Sequence, residues 1–170
     1  IYFGNSLIAS IATEPIENDA EYSTKKLSDE EIKQDCESKA FLRLSQKLKK
    51  AYPRLPICIL ADGLYVSEKV INRCKEYNWD YIIRYKEGSA PSIAQEYNAI
   101  PEKTKTENAE FINGIIYKDG TVNVLKYTET KVKKGKGITT TFEWITSIEI
   151  TEKNAVKLAG AGRKRWKIEN

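Results

Sequence analysis

The sequence predicts an α/β protein in which a β-rich segment interrupts the core before a last helix. An apolar run, a helical pattern and a second apolar run follow one another between residues 57 and 85, which is the order of a βαβ unit. β-branched runs dominate after Asn98, and helical spacing returns at Thr151. With 170 residues, 41% of them hydrophobic, the chain can form one domain with a sizeable core.

The composition excludes several kinds of catalytic site. The chain contains no His, which rules out a Ser-His-Asp triad, a Cys-His pair and a His-ligated zinc site. Its three cysteines (Cys36, Cys58 and Cys74) lack Cys-x-x-Cys spacing, so we expect buried thiols in a reducing compartment, the cytoplasm. The net charge of +4 permits a nucleic-acid partner without indicating one. Any chemistry must therefore use carboxylates, hydroxyls, lysines or a metal.

The chain shows no membrane or targeting signal. No apolar run approaches the length that crosses a bilayer, and the first residues lack a signal-peptide pattern. The sequence has no Met and starts at Ile1. We therefore expect it to be a piece of a longer protein.

The first third of the chain predicts a hairpin, a connection and a long helix. "IYFGNSLIASIATEPI" contains two apolar runs around Gly4–Asn5, and residues 17–28 are acidic and polar. Ser28 and the three acids after it form a capping box. Apolar residues every four positions then predict a helix to about Tyr52, which Pro53 stops.

The predicted core strands follow. "PICILAD" has five consecutive apolar residues at 57–61, which is typical of a strand buried on both faces in a parallel sheet. Ser67 caps a second helix, and "WDYIIRY" at 79–85 is the next strand.

The region after Asn98 predicts antiparallel strands that protrude from the core. "FINGIIYKDGTVNVLKYTET" is a hairpin around Lys118–Gly120, and "ITTTFEWITSIEI" is a further β-branched run. The lysine- and glycine-rich tip at 131–137 should be exposed and mobile. We expect three regions: a core at 1–97, a β-rich insertion at 98–150 and a last helix at 151–170.

Two carboxylates are candidate site residues, and each has a simpler interpretation. Asp62 lies at the carboxyl end of the predicted buried strand, where open α/β sheets place ligands. It could equally be a turn residue that accepts backbone hydrogen bonds. Glu169 lies among cations and could form only a surface pair with Arg165. The lysine tip could likewise be a solvated hairpin end.

Three segments together resemble a known family. "QDCESKAF" (34–41), "AYPRLPICILADGLY" (51–65) and "RWKIEN" (165–170) are similar to segments of the DDE transposases of bacterial insertion sequences. The subgroup is the one with a Tyr-x-x-Arg-x-x-x-Glu-x6-Lys signature on its last catalytic helix. The resemblance implies an RNase H-like mixed sheet with flanking helices, interrupted by a β-rich insertion before the last helix.

The resemblance implies a role for three residues. Asp62 matches the second catalytic Asp, Glu169 the catalytic Glu, and Arg165 the signature Arg that contacts DNA phosphate. Gly162 stands where the signature Tyr would be, and the signature Lys would fall beyond Asn170. The first catalytic Asp belongs on a strand that precedes the present first residue, so no residue here is assigned to it.

The resemblance also implies metal, DNA and a second subunit. Asp62 and Glu169 would hold two Mg²⁺ or Mn²⁺ ions, which suits carboxylate ligands. The partners would be transposon-end DNA, target DNA and a second copy in a homodimer. The reaction would be hydrolysis at the transposon ends, followed by strand transfer into target DNA. The residues expected to bind DNA are Arg163, Lys164, Arg165, Lys167, Lys133, Lys134 and Lys136.

Two alternatives stay open at this point. One is a non-catalytic DNA-binding remnant of the same RNase H-like fold, and the other is an unrelated α/β protein. A metal site requires Asp62 and Glu169 within about 10 Å, since paired catalytic metals lie about 4 Å apart. Because one of three carboxylates is missing, we expect that this chain alone does not cleave DNA.

Overall fold

Ten helices and strands form the part of the chain that the structure, a computed structural model, describes. It covers residues 10–16, 29–133 and 136–167, with only the backbone at 29–35, 133, 136, 166 and 167. The helices are α1 (Asp29–Ala51), α2 (Glu68–Tyr77), α3 (Pro91–Ala99) and α4 (Ala155–Gly162). The strands are β1 (Cys58–Ala61), β2 (Asp80–Arg84), β3 (Thr104–Lys105), β4 (Ala109–Tyr117), β5 (Gly120–Lys133) and β6 (Lys136–Thr146).

All six strands belong to one mixed sheet. Their order is β1-β2-β6-β5-β4-β3. β1 and β2 are parallel, with α2 as their connection, and every other pairing is antiparallel. The sequence therefore predicted the βαβ unit and the antiparallel strands correctly.

Helices cover both faces of the sheet because successive strand residues point to opposite sides. Val124 and Ile145 enter the core under α1, α2 and α3, whereas their neighbours Leu125 and Trp144 enter the core under α4. The second core is completed by the apolar face of α4: Ala155, Leu158 and Ala159. Because α4 packs on this face, it positions the residues that follow it against the sheet.

Several local predictions are confirmed. α1 ends one residue before Tyr52, and the Ser67 hydroxyl accepts a hydrogen bond from the Val70 N–H at the start of α2. The hairpin turn lies at Lys118–Asp119, where Lys118 has a positive φ of 54°. Helical structure resumes as α4, followed by a 3₁₀ segment at Arg163–Lys167. The hairpin around Gly4–Asn5, the connection at 17–28 and the Ser28 cap lie outside the described residues.

Three predictions need correction. β1 is only partly buried: Cys58 at its start is exposed, Ile59 and Leu60 are half-buried against the cores on opposite faces of the sheet, and Ala61 alone is buried. Cys58 is thus not a buried thiol, although Cys36 and Cys74 are, and all three are thiols rather than disulfides. The insertion does not simply protrude, since β6 pairs with β2 and continues the core sheet. α3 was not predicted.

The β5–β6 hairpin does extend beyond the sheet at its far end. β4 pairs with β5 only as far as Tyr127, whereas β5 and β6 stay paired out to Lys133 and Lys136. We call this outer part, Thr128–Lys133 with Lys136–Thr141, the arm. Its residues Lys131, Val132 and Gly137 are exposed, as predicted for the tip. None of the described helices is long and apolar enough to cross a bilayer.

Candidate active site

Asp62 directly follows β1 and lies at the carboxyl edge of the parallel strand pair. Its Oδ1 accepts a hydrogen bond from the Leu64 N–H at 3.0 Å, which caps a short 3₁₀ turn at Gly63–Tyr65. The turn role considered for Asp62 is therefore real, but it uses one carboxylate oxygen. The Asp62 side chain is 36% exposed, and its Oδ2 faces Arg165 in the segment that follows α4.

α4 and the 3₁₀ segment bring a cation to Asp62. The Arg165 Nη1 lies 3.7 Å from the Asp62 Oδ2. This distance is at the long end for an ion pair, and it leaves the carboxylate in contact with the cleft beside it. The signature Arg and the second catalytic Asp of the resemblance are thus neighbours in space, although they are far apart in sequence.

An open cleft of about 710 Å³ runs along β1 between α1 and the 3₁₀ segment. Both carboxylates and cations line it: Glu37, Asp62, Lys164 and Arg165. Burial raises the pKa of the Tyr65 hydroxyl, and the negative charges of Glu37 and Asp62 raise it further. Both carboxylates therefore lie close to this phenol. Such a wall can attract a cation and a phosphate side by side.

Two residues of this edge received no role from the sequence. Glu37 on α1 is only 9% exposed, yet it lines the cleft. Arg84 ends β2, in register beside Asp62, and its guanidinium lies 5.1 Å from the centre of the Phe142 ring. Burial lowers the pKa of Arg84, Glu143 opposes this, and Arg165 lowers it further. Its place at the carboxyl end of a predicted strand was the signal that could have identified Arg84.

The structure places the other predicted DNA-binding residues differently. Lys164 lines the cleft, whereas Arg163 turns to the arm and pairs with Glu129. The backbone alone is described for Lys133, Lys136 and Lys167, and Lys134 and Glu169 lie outside the described residues. The approach of Glu169 to Asp62 therefore stays a prediction.

Gly162 packs directly against Trp144. A Cβ atom at Gly162 would lie 2.5 Å from the Trp144 Nε1 and 2.7 Å from its Cε2. Trp144 is almost fully buried, with 1% of its surface exposed. A tyrosine at this position would thus require the indole to move, which gives a physical reason for the departure from the signature.

The described residues fit a divalent ion only in part. Mg²⁺ prefers carboxylate and water oxygens, and Asp62 offers one oxygen toward the cleft. Among the residues searched, no group of three His, Cys, Asp or Glu side chains could hold a metal. Asp62 therefore fits as one ligand of a site that needs others.

The comparison with protein families agrees with this geometry. The family described as "Transposase DDE domain" matches residues 34–170, which is most of the chain. None of the curated proteins compared with the chain matches it. The chain belongs to the DDE transposase family, and its mixed sheet with flanking helices is the RNase H-like fold of that family. The alternative of an unrelated α/β protein is therefore wrong.

Membership of the DDE transposase family indicates the general function of this chain. The family comprises transposases, enzymes that act on DNA and generally use divalent metal ions.

Proposed function

We propose that this chain is the catalytic region of an insertion-sequence transposase of the Tyr-Arg-Glu-Lys subgroup. It would catalyse metal-dependent hydrolysis of phosphodiesters at transposon ends, and then transfer of the 3′ hydroxyl into target DNA. The approach of Arg165 to Asp62 at the carboxyl edge of β1 carries this proposal. It joins a metal-binding carboxylate to a phosphate-binding cation in one cleft.

Each side chain has a separate task in this proposal. Asp62 would hold one metal position, and Glu169, four positions after Arg165 in the sequence, would supply a second carboxylate. Two bound Mg²⁺ or Mn²⁺ ions would supply activation of the attacking oxygen and stabilisation of the leaving oxygen, which needs no protein base. The absence of His in the sequence is compatible with that chemistry. Arg165 and Lys164 neutralise the phosphate that enters the cleft.

DNA would extend from the cleft along two groups of basic residues, one next to Arg165 and one in the arm. Lys167 comes two positions after Arg165, and Lys133 pairs with Lys136 at the end of the arm, with Lys134 between them in the sequence. Contacts of this kind neutralise phosphates and make affinity depend on salt. The complete protein would act as a homodimer on two transposon ends and one target.

The test uses the full-length transposase, a matched transposon end and Mg²⁺ or Mn²⁺. We expect Asp62→Asn to reduce nicking by about a thousandfold or more, since each 1.36 kcal/mol of lost transition-state stabilisation costs tenfold. Asp80→Asn is the matched control. Asp80 begins β2 at the amino end of the parallel strand pair, away from Asp62 at its carboxyl end, and its Oδ1 accepts a hydrogen bond from the Ser147 hydroxyl at 2.9 Å. The Asp80→Asn variant should nick DNA at a rate within about twofold of that of the unchanged protein.

Two outcomes would contradict the proposal. Nicking by Asp62→Asn at the unchanged rate would remove Asp62 from the site. DNA binding without any metal-dependent nicking by the unchanged full-length protein would favour the non-catalytic remnant. We also expect the 170-residue chain alone to bind DNA weakly without cleaving it.

A further inference from the structure

Arg163 connects the end of α4 to β5 and β6 at the base of the arm. Its Nη1 donates a hydrogen bond to the Glu129 Oε2 on β5 at 2.7 Å. The same guanidinium lies 5.1 Å from the centre of the Phe142 ring on β6. A single side chain thus contacts two neighbouring strands at the point where the arm leaves the sheet.

The Phe142 ring is contacted by a second arginine. Arg84, at the end of β2 beside Asp62, lies 5.1 Å from the ring centre. The ring also stacks on Trp144, with 5.9 Å between the ring centres and 13° between the planes. The ring therefore links the carboxyl edge of β2 to the residue that follows α4.

Consecutive residues seat this end of α4 on β6. Gly162 lies against the Trp144 indole without room for a Cβ atom, and Arg163 follows on Phe142 and Glu129. Only two positions later, Arg165 reaches Asp62. Because the intervening segment is a short 3₁₀ turn, the direction in which it leaves α4 decides where Arg165 lies.

We propose that Arg163, through Glu129 and Phe142, is a positioning residue that holds the 3₁₀ segment in the direction that places Arg165 beside Asp62. The inference rests on the proposed function, and it gives Arg163 a role other than the direct phosphate contact expected from the sequence. The arm thereby sets the geometry of the catalytic edge, in addition to any contact of its tip with DNA.

Substitution of Glu129 distinguishes the two roles of Arg163. If Arg163 binds phosphate, Glu129→Gln removes a competing negative charge, so DNA should bind more tightly and cleavage should continue. If Arg163 positions the 3₁₀ segment, the same change should lower the cleavage rate constant without weakening DNA binding. Lysine at position 163 keeps the charge but loses the planar fork that pairs and stacks at once.

The experiment measures single-turnover nicking and DNA affinity over a range of salt concentrations in the full-length transposase. We expect Glu129→Gln and Arg163→Lys each to lower the rate constant about tenfold, and Arg163→Lys to leave affinity and salt dependence unchanged. Glu129 also pairs with Lys131 at 3.0 Å, so tighter DNA binding by Glu129→Gln counts against the positioning role only if the rate constant is unchanged. The double variant should be no slower than either single variant, because both act through one contact. Glu110→Gln is the matched control, since Glu110 pairs with Lys105 on the neighbouring strands and should leave the rate unchanged.

The outcomes separate this inference from the proposed function. Unchanged nicking by Glu129→Gln with tighter DNA binding would overturn the positioning role and restore the phosphate contact. Losses that multiply in the double variant would also overturn it. If Asp62→Asn nicks normally, the proposed function fails whatever the Arg163 variants do. If Asp62→Asn is inactive while Glu129→Gln and Arg163→Lys are fully active, only the positioning role fails.

Discussion

The centre of the sheet and its β1 edge are built in opposite ways. Ile145 on β6 lies between β2 and β5, in register with Ile83 and Val124, and all three are fully buried. β1 has a described neighbour on one side only, and an open cleft runs along it. The strands of the insertion thus supply the best-packed part of the core, while the candidate chemistry lies at the least covered strand.

Polar groups differ between the two regions in the same sense. Away from the β1 edge, the Tyr97 hydroxyl of α3 donates to the Glu110 Oε1 of β4 at 2.6 Å, and Arg163 binds Glu129 of β5 at 2.7 Å. At the edge, Asp62 and Arg165 are separated by 3.7 Å. The first two pairs are short, whereas the Asp62–Arg165 pair is long and borders the open cleft. Stability and activity should therefore respond to different residues.

The largest expected effect compares the same substitution in the two regions. Ile145→Ala should reduce the free energy of unfolding by about 2–5 kcal/mol, because the cavity forms in the fully buried core between the sheet and α1, α2 and α3. Ile59→Ala on β1 should cost about 1 kcal/mol, because Ile59 is only half-buried beside the cleft. Urea unfolding followed by circular dichroism measures both. Equal losses would show that β1 is packed as tightly as the centre.

A second comparison uses two glycines of α4. Gly162→Ala should cost about 1–3 kcal/mol, because the added methyl group meets the Trp144 indole. Gly160→Ala should instead stabilise the protein by about 0.5–1 kcal/mol, because its Cβ would have no atom within 4 Å and alanine favours a helix. Thermal unfolding gives the sign of each change. Stabilisation by both would mean that Trp144 moves aside freely.

Local patterns in the sequence predicted the elements but not how they meet. The capping serine at Ser67 and the apolar run before Asp62 each act within a few residues, so these features could be recognised. The pairing of β2 with β6 joins segments about sixty positions apart, and no local pattern encodes it. For this reason the sequence did not show that β6 continues the core sheet. α3 was missed because nine residues give a weak helical period.

The candidate site, like the fold, could be predicted only where it depends on local sequence. Asp62 could be identified because its position after a strand is visible in the sequence. The positions of Arg84 and Glu37 relative to Asp62 depend on strand register and helix packing, which are tertiary properties. The engagement of Arg163 with Glu129 likewise requires the arm to be in place.

The third prediction concerns the tip of the arm. Replacing its four lysines (Lys131, Lys133, Lys134 and Lys136) by Gln should weaken DNA binding about tenfold and flatten its salt dependence, with sequence preference unchanged. The matched control removes four exposed lysines away from the arm: Lys50, Lys69, Lys75 and Lys118. A salt slope that falls equally in both variants, or in neither, would leave the tip as solvated surface.

The smallest expected effect tests whether the hydrogen bond between Tyr97 on α3 and Glu110 on β4 stabilises the protein. The hydrogen bond from Tyr97 lowers the pKa of Glu110 below its ordinary value of 4.5, burial opposes this, and Lys105 lowers it further. A depressed pKa in the folded state means that the stabilisation is present above pH 4.5 and disappears as the pH falls through the lower, folded value. Tyr97→Phe should therefore cost about 1 kcal/mol at pH 7 and less in acid. Urea unfolding at pH 7 and pH 3 measures the difference, and in a Glu110→Gln background the cost of Tyr97→Phe should no longer depend on pH. A cost that is the same at both pH values in the unchanged background would show that the Tyr97 hydroxyl stabilises the protein independently of the charge on Glu110.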